Sequence, residues 1–285
     1  MLDQVVAGLA GGGVYALVGV CLVLAYRVGD VINFSQTFVG ALAAYLVTSL
    51  VSGGMGPTTA VLVGILVGTW IAFVQGVVMA FLFAEAGAPV RTAVSIAMAI
   101  SLFGITVLIY GDDVRAFVRM FDSIQVDIGR TRVTGISIVI IVSAVLLAAV
   151  LWLVVNRTRF GAVLRAVSAR PTTAELLGVP TRALVILVWT VCGAISSAAV
   201  ILVAPTRTNV AGMAMLVAPA LAAALIGGLR SFGATVAAGI GLGILESMTL
   251  RWGTVIPRYR GLLPFVIVVV VLLWSQRKEQ WSEAR

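Results

Sequence analysis

Apolar residues run in blocks of roughly 17–25 positions along nearly the whole of this 285-residue chain, and short polar stretches separate them. A helix rising about 1.5 Å per residue needs that length to cross roughly 30 Å of hydrocarbon, so the pattern predicts a bundle of transmembrane helices. Candidate spans lie near 5–26, 36–51, 59–83, 92–110, 136–155, 183–204, 213–228, 233–250 and 261–275. Two of the nine are weak: 213–228 is short and contains Pro219, and 261–275 is short as well. One of them is read as a half-helix or re-entrant segment, which makes eight the alternative count. A membrane β-barrel would alternate in segments of about 10 residues and is excluded.

Two stretches break the apolar pattern in different ways. Between the fourth and fifth spans, SIQVDIGRTRVTGIS alternates apolar and polar positions, the signature of a short exposed strand or hairpin. It serves either as a landing surface for a partner or as a solvated connector. Segment 157–182, RTRFGAVLRAVSARPTTAELLGVPTR, carries five Arg and one Glu. At a bilayer centre each Arg would cost about 2.5–3.5 kcal/mol, so this segment lies in water or against a partner.

Composition adds little to the class but sets the orientation. With 61% hydrophobic and 11% charged residues, mean hydropathy +1.15, the chain is an all-α polytopic membrane protein with one domain over 1–285. The net charge of +8 comes from arginines scattered between spans, without an aromatic-rich basic face, so nucleic acid is not a partner. Basic loops stay in the cytoplasm. Placing 157–182 and the tail with Arg277, Lys278 and Arg285 there fits four crossings between them and five before, with the N-terminus outside. The loop 112–135 is then extracytoplasmic, its Asp112, Asp113, Asp122 and Asp127 balanced by Arg115, Arg119, Arg130 and Arg132, and RWGTVIPRYR at 251–260 faces outward. The N-terminal stretch has an acidic Asp3 and no clear cleavage site, so it is read as the first membrane helix. Cys21 and Cys192 sit far apart inside apolar runs and the chain has no His, which supports neither a disulfide framework nor a metal site. The glycine string GIGLGILES at 239–247 lies within an apolar run and is read as helix packing.

The local grammar of 157–182 is specific. Phe160, Val163, Leu164 and Val167 fall on one helical face, an amphipathic extension of the preceding span that Pro171 ends. Thr172-Thr173-Ala174-Glu175 then reads as a capping box, Leu176 and Leu177 follow, and Gly178 with Pro180 closes the helix. A helix this short is marginal alone in water, which points either to docking or to an ordinary interfacial helix.

These same residues, R-x-R-F-G-x-x-L-R-A-V and A-x-L-L-G-V-P-T-R, resemble the cytoplasmic loop of LivH-type permeases, membrane subunits of bacterial branched-chain amino acid ABC importers. The resemblance covers nearly the whole chain, through G-x-x-x-Y-A-L leading into V-I-N-F near the start and ALIGGLRSFGATVAAGIGLGILES near the end. Two departures stand out: Ser35-Gln36-Thr37 follows Asn33-Phe34 where the family commonly has A-H-G, and Arg230 replaces a frequent Gly. The resemblance implies a bundle of eight or nine spans with a coupling helix over Thr172, Thr173, Ala174, Glu175, Leu176, Leu177 and Gly178. It implies a bacterial inner (plasma) membrane location, a second permease subunit (LivM-like or a second copy), two cytoplasmic ATPase subunits and an extracytoplasmic substrate-binding protein. The cargo would be a branched-chain or other small hydrophobic amino acid, or a related small polar solute such as urea or an amide. No G-x-x-x-x-G-K-[ST] occurs, so this chain is not an enzyme and holds no cofactor; ATP and Mg would belong to the ATPase chains.

Polar residues inside apolar spans are the pathway candidates, because their desolvation is costly. Asn33, Phe34, Ser35, Gln36 and Thr37 mark an interrupted helix after Gly29-Asp30, either a pathway or gate element or a helix cap formed by Asn33 or Ser35. Tyr15 and Glu246 are further pathway candidates, Glu246 with Arg251 as its competing partner, and Gln75 is a lesser one. The competing class, an ion-coupled secondary transporter, predicts an inverted repeat and buried acidic ion sites; the sequence shows no convincing repeat and few intramembrane carboxylates.

Overall fold

The computed structural model describes residues 2–111, 113, 115–116, 125–128, 131–169, 171–203, 207–249, 262, 265–270 and 273. Before the polar segment come α1 (Leu2–Gly29), α2 (Gln36–Ser52), α3 (Pro57–Leu82), α4 (Ala88–Tyr110) and α5 (Gly135–Arg157). The polar segment itself forms α6 (Arg159–Ala169) and α7 (Pro171–Leu176), and the rest forms α8 (Thr181–Val203), α9 (Val210–Ala214), α10 (Val217–Ile226) and α11 (Phe232–Thr249). Six helices among the described residues are long and apolar enough to cross a membrane, and Gln36–Ser52 and Val210–Ile226 are shorter apolar stretches. The chain is thus an α-helical membrane protein.

The weak span at 213–228 is broken in two. A turn at 215–216 separates α9 from α10, and α10 at ten residues reaches only about 15 Å, so it covers half a membrane. For the last candidate span only 262, 265–270 and 273 are described, with 265–270 helical; the rest of it, and the arginines of 251–260, lie outside the described residues. The alternating stretch before α5 forms a hairpin, strand Gln125–Ile128 antiparallel to strand Thr131–Thr134, with Val126 opposite Val133. A second small pairing joins 115–116 to 207–208.

Small residues decide how the helices meet. Gly8 and Gly12 of α1 face Gly239 and Gly243 of α11 so closely that a Cβ on Gly239 would stand 2.6 Å from the Ala16 backbone nitrogen, and one on Gly8 2.6 Å from the Gly243 carbonyl oxygen. The reading of GIGLGILES as packing holds. On the other side of the bundle α3 meets α8 in the same manner, a Cβ on Gly76 reaching within 2.9 Å of the Trp189 side chain. Cys21 and Cys192, far apart in sequence, face each other across α1 and α8; both are buried free thiols, and the Cys192 Sγ lies 3.4 Å from the Cys21 carbonyl oxygen.

The pairing has a symmetry that the sequence conceals. α1 packs along α11 as α8 packs along α3, α10 lies on α1 as α2 lies on α8, and α2 borders α3 as α10 borders α11. Exchanging α1, α2 and α3 for α8, α10 and α11 maps these contacts onto one another. The two triplets run in opposite senses, since α1 and α3 end, and α8 and α11 begin, beside α6 and α7. No repeat is legible in the sequence, yet the helices are paired in an inverted arrangement, carried by small residues at crossings rather than by matching sequence.

Candidate functional site

Two features stand out in the bundle: a helix interruption in its interior and a polar cavity at the end where α6 and α7 sit. α1 stops at Gly29, and Asp30 takes a left-handed φ of 52° while its N–H donates to the Tyr26 carbonyl at 2.8 Å. The chain then turns back into the protein. The side-chain amide of Gln36 donates to the Val18 carbonyl oxygen at 3.1 Å, and Val18 lies about 16 Å before the end of α1, so α2 begins at depth.

Asn33 makes that turn. Its Oδ1 accepts from the Ser35 backbone N–H at 3.0 Å and from the Ser35 hydroxyl at 2.8 Å, a side chain standing in for a backbone turn. Ser35 occupies the N-cap of α2 but caps nothing, because its hydroxyl lies 3.0 Å from the Gln75 side-chain oxygen on α3. One hydroxyl proton serves one acceptor, so turning the Gln75 amide over lets its NH2 donate to Ser35 and satisfies both contacts. The helix-cap reading is corrected for Ser35 by this cross-bundle link, whereas the Asn33 side chain does accept a backbone N–H at the start of α2. Phe34 donates its N–H to Ser95 Oγ of α4 at 3.4 Å, and the Ser95 hydroxyl reaches the Ile32 carbonyl at 2.9 Å. Asn33, Ser35, Gln36, Thr37, Gln75 and Ser95 are all buried. Four polar atoms nearby in the same interior, Gln36 Oε1, Thr37 Oγ1 and the Ser196 and Ser197 hydroxyls, find no hydrogen-bond partner among the described residues. Each such orphan costs about 1–3 kcal/mol, so the interior offers polar contacts that a solute or water can take up.

At the α6–α7 end the chain leaves the bundle and returns. α5 ends at Arg157, and the Thr158 hydroxyl accepts from the Gly161 N–H at 3.1 Å, which caps α6 as a separate helix rather than an extension of α5. α6 buries Leu164 and Val167, half-buries Val163 and leaves Phe160 exposed. α7 is closed by two bonds, Gly178 N–H to the Glu175 carbonyl at 2.9 Å and Val179 N–H to the Ala174 carbonyl at 3.0 Å, with Gly178 at φ 80°. This is the glycine-terminated cap expected of Gly178. The capping box is corrected: Pro171 already lies in the helix, so Thr172 is not its N-cap, and Glu175 accepts from the Thr181 hydroxyl at the start of α8 instead of reaching back. Ala174 is buried, whereas Leu176 is 88% and Leu177 78% exposed.

The helix ends around α7 enclose a cavity of about 720 Å³. Arg27, Arg91, Arg165, Arg182 and Arg230 line it, with Asp30 and Glu175 among the other lining residues.

A model of the family described as "Branched-chain amino acid transport system / permease component" matches residues 4–272. The chain belongs to this permease family. It is 24% identical over 300 residues to the high-affinity branched-chain amino acid transport system permease protein LivH of Escherichia coli strain K12, covering 95% of this chain and 92% of that one. The LivH protein of Escherichia coli O157:H7 matches to the same extent. In fold it resembles an inward-facing conformation of a putative metal-chelate type ABC transporter, TM-score 0.55 at 17% identity, covering 95% of this chain and 85% of that chain. It is therefore a transport-system permease component, a transport subunit, with the helical make-up of a multi-pass membrane protein.

Of the pathway candidates, the permease brings Asn33, Ser35 and Gln75 into one hydrogen-bonded group, Phe34 bonds to Ser95 on α4, and Gln36 and Thr37 sit beside them at the start of α2. Tyr15 and Glu246 form a separate pair, the phenol donating to the carboxylate at 2.7 Å between α1 and α11; Arg251 lies outside the described residues. Tyr15→Phe leaves that carboxylate without this donor and is expected to cost about 1–3 kcal/mol in a thermal-unfolding assay, whereas Glu246→Gln keeps an acceptor and costs less. Arg91 and Ser95 escaped the sequence reading. Arg91 donates to the carbonyls of Ala86 at 2.7 Å and Gly29 at 3.1 Å, tying the start of α4 to the end of α1. Their spacing of four, on one face of the first turns of an apolar span, was the available signal.

Proposed function

We propose that this permease is one membrane half of a binding-protein-dependent importer for branched-chain or other small hydrophobic amino acids, with a small polar solute such as urea or an amide as the related possibility. Residues 1–285 act as a single permease domain of eight or nine crossings in a bacterial inner membrane, 157–182 facing the cytoplasm and 112–135 the outside. A second permease subunit, LivM-like or another copy of this chain, completes the pathway. A binding protein delivers solute from outside, and two ATPase subunits carrying ATP and Mg act from the cytoplasm. Family membership and the 24% identity to LivH support the cargo class.

α7 is the coupling helix of this scheme, over Thr172, Thr173, Ala174, Glu175, Leu176, Leu177 and Gly178. The observation that carries it is the pair of outward leucines, Leu176 and Leu177, on a short helix pinned to the bundle by Ala174, Glu175 and the Gly178 cap. Large apolar side chains at the water-facing end of a membrane protein mark a surface that another chain covers. Rigid attachment then lets ATPase closure rotate α6 and α8 together, a rigid-body switch. The interior group at Asn33, Phe34, Ser35, Gln36 and Thr37 forms the gate, with Tyr15 and Glu246 as the second polar position along the pathway.

The test is Leu176→Asp with Leu177→Asp. Both side chains point away from the bundle, so the doubly substituted permease is expected to keep its unfolding temperature while losing co-purification of the ATPase and at least 90% of ATP-driven uptake. Retained ATPase binding in a folded variant would overturn the assignment of α7.

A further inference from the structure

The cavity beside α7 has a composition that moving a zwitterionic amino acid does not require. Five guanidinium groups line it, one from each of five places in the chain: the end of α1 (Arg27), the start of α4 (Arg91), α6 (Arg165), the start of α8 (Arg182) and the turn between α10 and α11 (Arg230). Asp30 and Glu175 are the carboxylates among its described lining residues, and Glu175 already accepts the Thr181 hydroxyl. Arg165 and Arg230 are the charged neighbours of Arg27, so three like charges converge at one wall. Protein groups hold them there. Arg27 donates to the Arg230 carbonyl and lies 4.8 Å over the Phe232 ring, Arg165 donates to the Val155 carbonyl, and Arg182 lies 5.4 Å over Phe81. Carbonyls and ring faces orient a guanidinium without neutralising it, so Arg91, Arg165, Arg182 and Arg230 alone outnumber the two carboxylates among the described lining residues. Deeper in, the lining turns apolar, with Leu24, Val28, Met79, Val185 and Trp189.

We infer that this cavity binds a phosphate-bearing anion that ties together the five helix ends around α7, the phosphate coming either from an anionic phospholipid headgroup or from solution. Guanidinium forks match phosphate oxygens in pairs, and a basic rim over an apolar floor suits a headgroup with its acyl chains below. The site works on the attachment of α6 and α7, and it stands whatever solute the permease carries.

The experiment uses the full chain, delipidated in a neutral detergent, with unfolding temperature followed as dioleoyl phosphatidylglycerol, dioleoyl phosphatidylcholine or inorganic phosphate is added. Phosphatidylglycerol or phosphate is expected to raise it and phosphatidylcholine is not. A response to phosphatidylglycerol alone identifies the headgroup as the source, and a response to phosphate alone identifies the free anion. Arg165→Gln with Arg230→Gln is expected to need at least tenfold more of the active probe for half the shift, while the corresponding double Lys variant stays within about threefold of the parent. Arg159→Gln, on α6 but outside the cavity, should match the parent. Should the double Gln variant fail to fold, Arg182→Gln is the substitute, with at least threefold weakening expected. No shift with either anion, or an undiminished shift in the Gln variants, would overturn the inference.

Discussion

Gly243→Ala is expected to cost the permease about 1–3 kcal/mol, the range for forcing an extra group into a packed interior, and Gly243→Val to abolish the folded state. The added Cβ would land on the backbone nitrogen and Cα of Gly12 and on the Gly8 carbonyl oxygen. Those are main-chain atoms of α1, which cannot rotate aside as a side chain could. Any relief must push α1 away from α11 along their whole contact, and α1 is the helix against which α5, α8 and α10 also pack. Gly241→Ala is the control, since its methyl meets nothing within 4 Å and it sits two residues away in the same helix. Gel filtration of detergent extracts with thermal challenge reads the result. Equal behaviour of the Gly243 and Gly241 alanine variants would refute the α1–α11 crossing.

Asn33→Ala is expected to abolish uptake almost completely, at least tenfold below the parent when the permease is reconstituted with the ATPase subunits proposed above. The Asn33 amide oxygen is the acceptor for both the backbone N–H and the hydroxyl of Ser35, and both residues are buried. Removing it strands the Ser35 N–H at about 1–3 kcal/mol, leaves the Ser35 hydroxyl with Gln75 alone, and frees the turn that starts α2 at depth. Ser35→Ala tests the cause by degrees. It keeps the backbone N–H bond to Asn33 and loses the hydroxyl's contacts with Asn33 Oδ1 and Gln75, so a smaller loss of uptake is expected. If Ser35→Ala proves the more damaging, the link between α2 and α3 matters more than the turn. ATPase co-purification should survive both changes, because α7 lies at the end of the bundle and not beside this turn.

What was legible in the sequence was whatever depends on local composition. Hydrocarbon thickness imposes a length on each span, so the long helices lie close to their predicted places, and the shortness of 213–228 with its Pro219 already marked a broken crossing. Arginines cannot be buried singly in lipid, so 157–182 could be placed outside the bundle. Gly178 announced the end of α7, because a left-handed residue at that cap is cheapest as glycine. Errors came where a residue had more than one available partner. Thr172 and Glu175 have the spacing of a capping box, yet Glu175 serves Thr181, six residues on, since the return of the chain into α8 brings that hydroxyl closer. Ser35 has the place of a cap and the partner of a cross-bundle link.

A helical membrane bundle, its polar excursion at 157–182, the helix interruption after Gly29-Asp30 and the resemblance to LivH-type permeases were all readable from sequence, because each follows from hydropathy, charge or motif along a contiguous stretch. Only the tertiary structure decided which distant residues meet. Tyr15 with Glu246, Ser35 with Gln75, and the five arginines around one cavity are separated by tens to hundreds of residues, and helix crossings at small side chains, which carry almost no sequence signal, bring them together. The inverted pairing of the two helix triplets belongs to the same class, since packing geometry constrains residue size at a crossing and leaves the rest of each helix free to diverge.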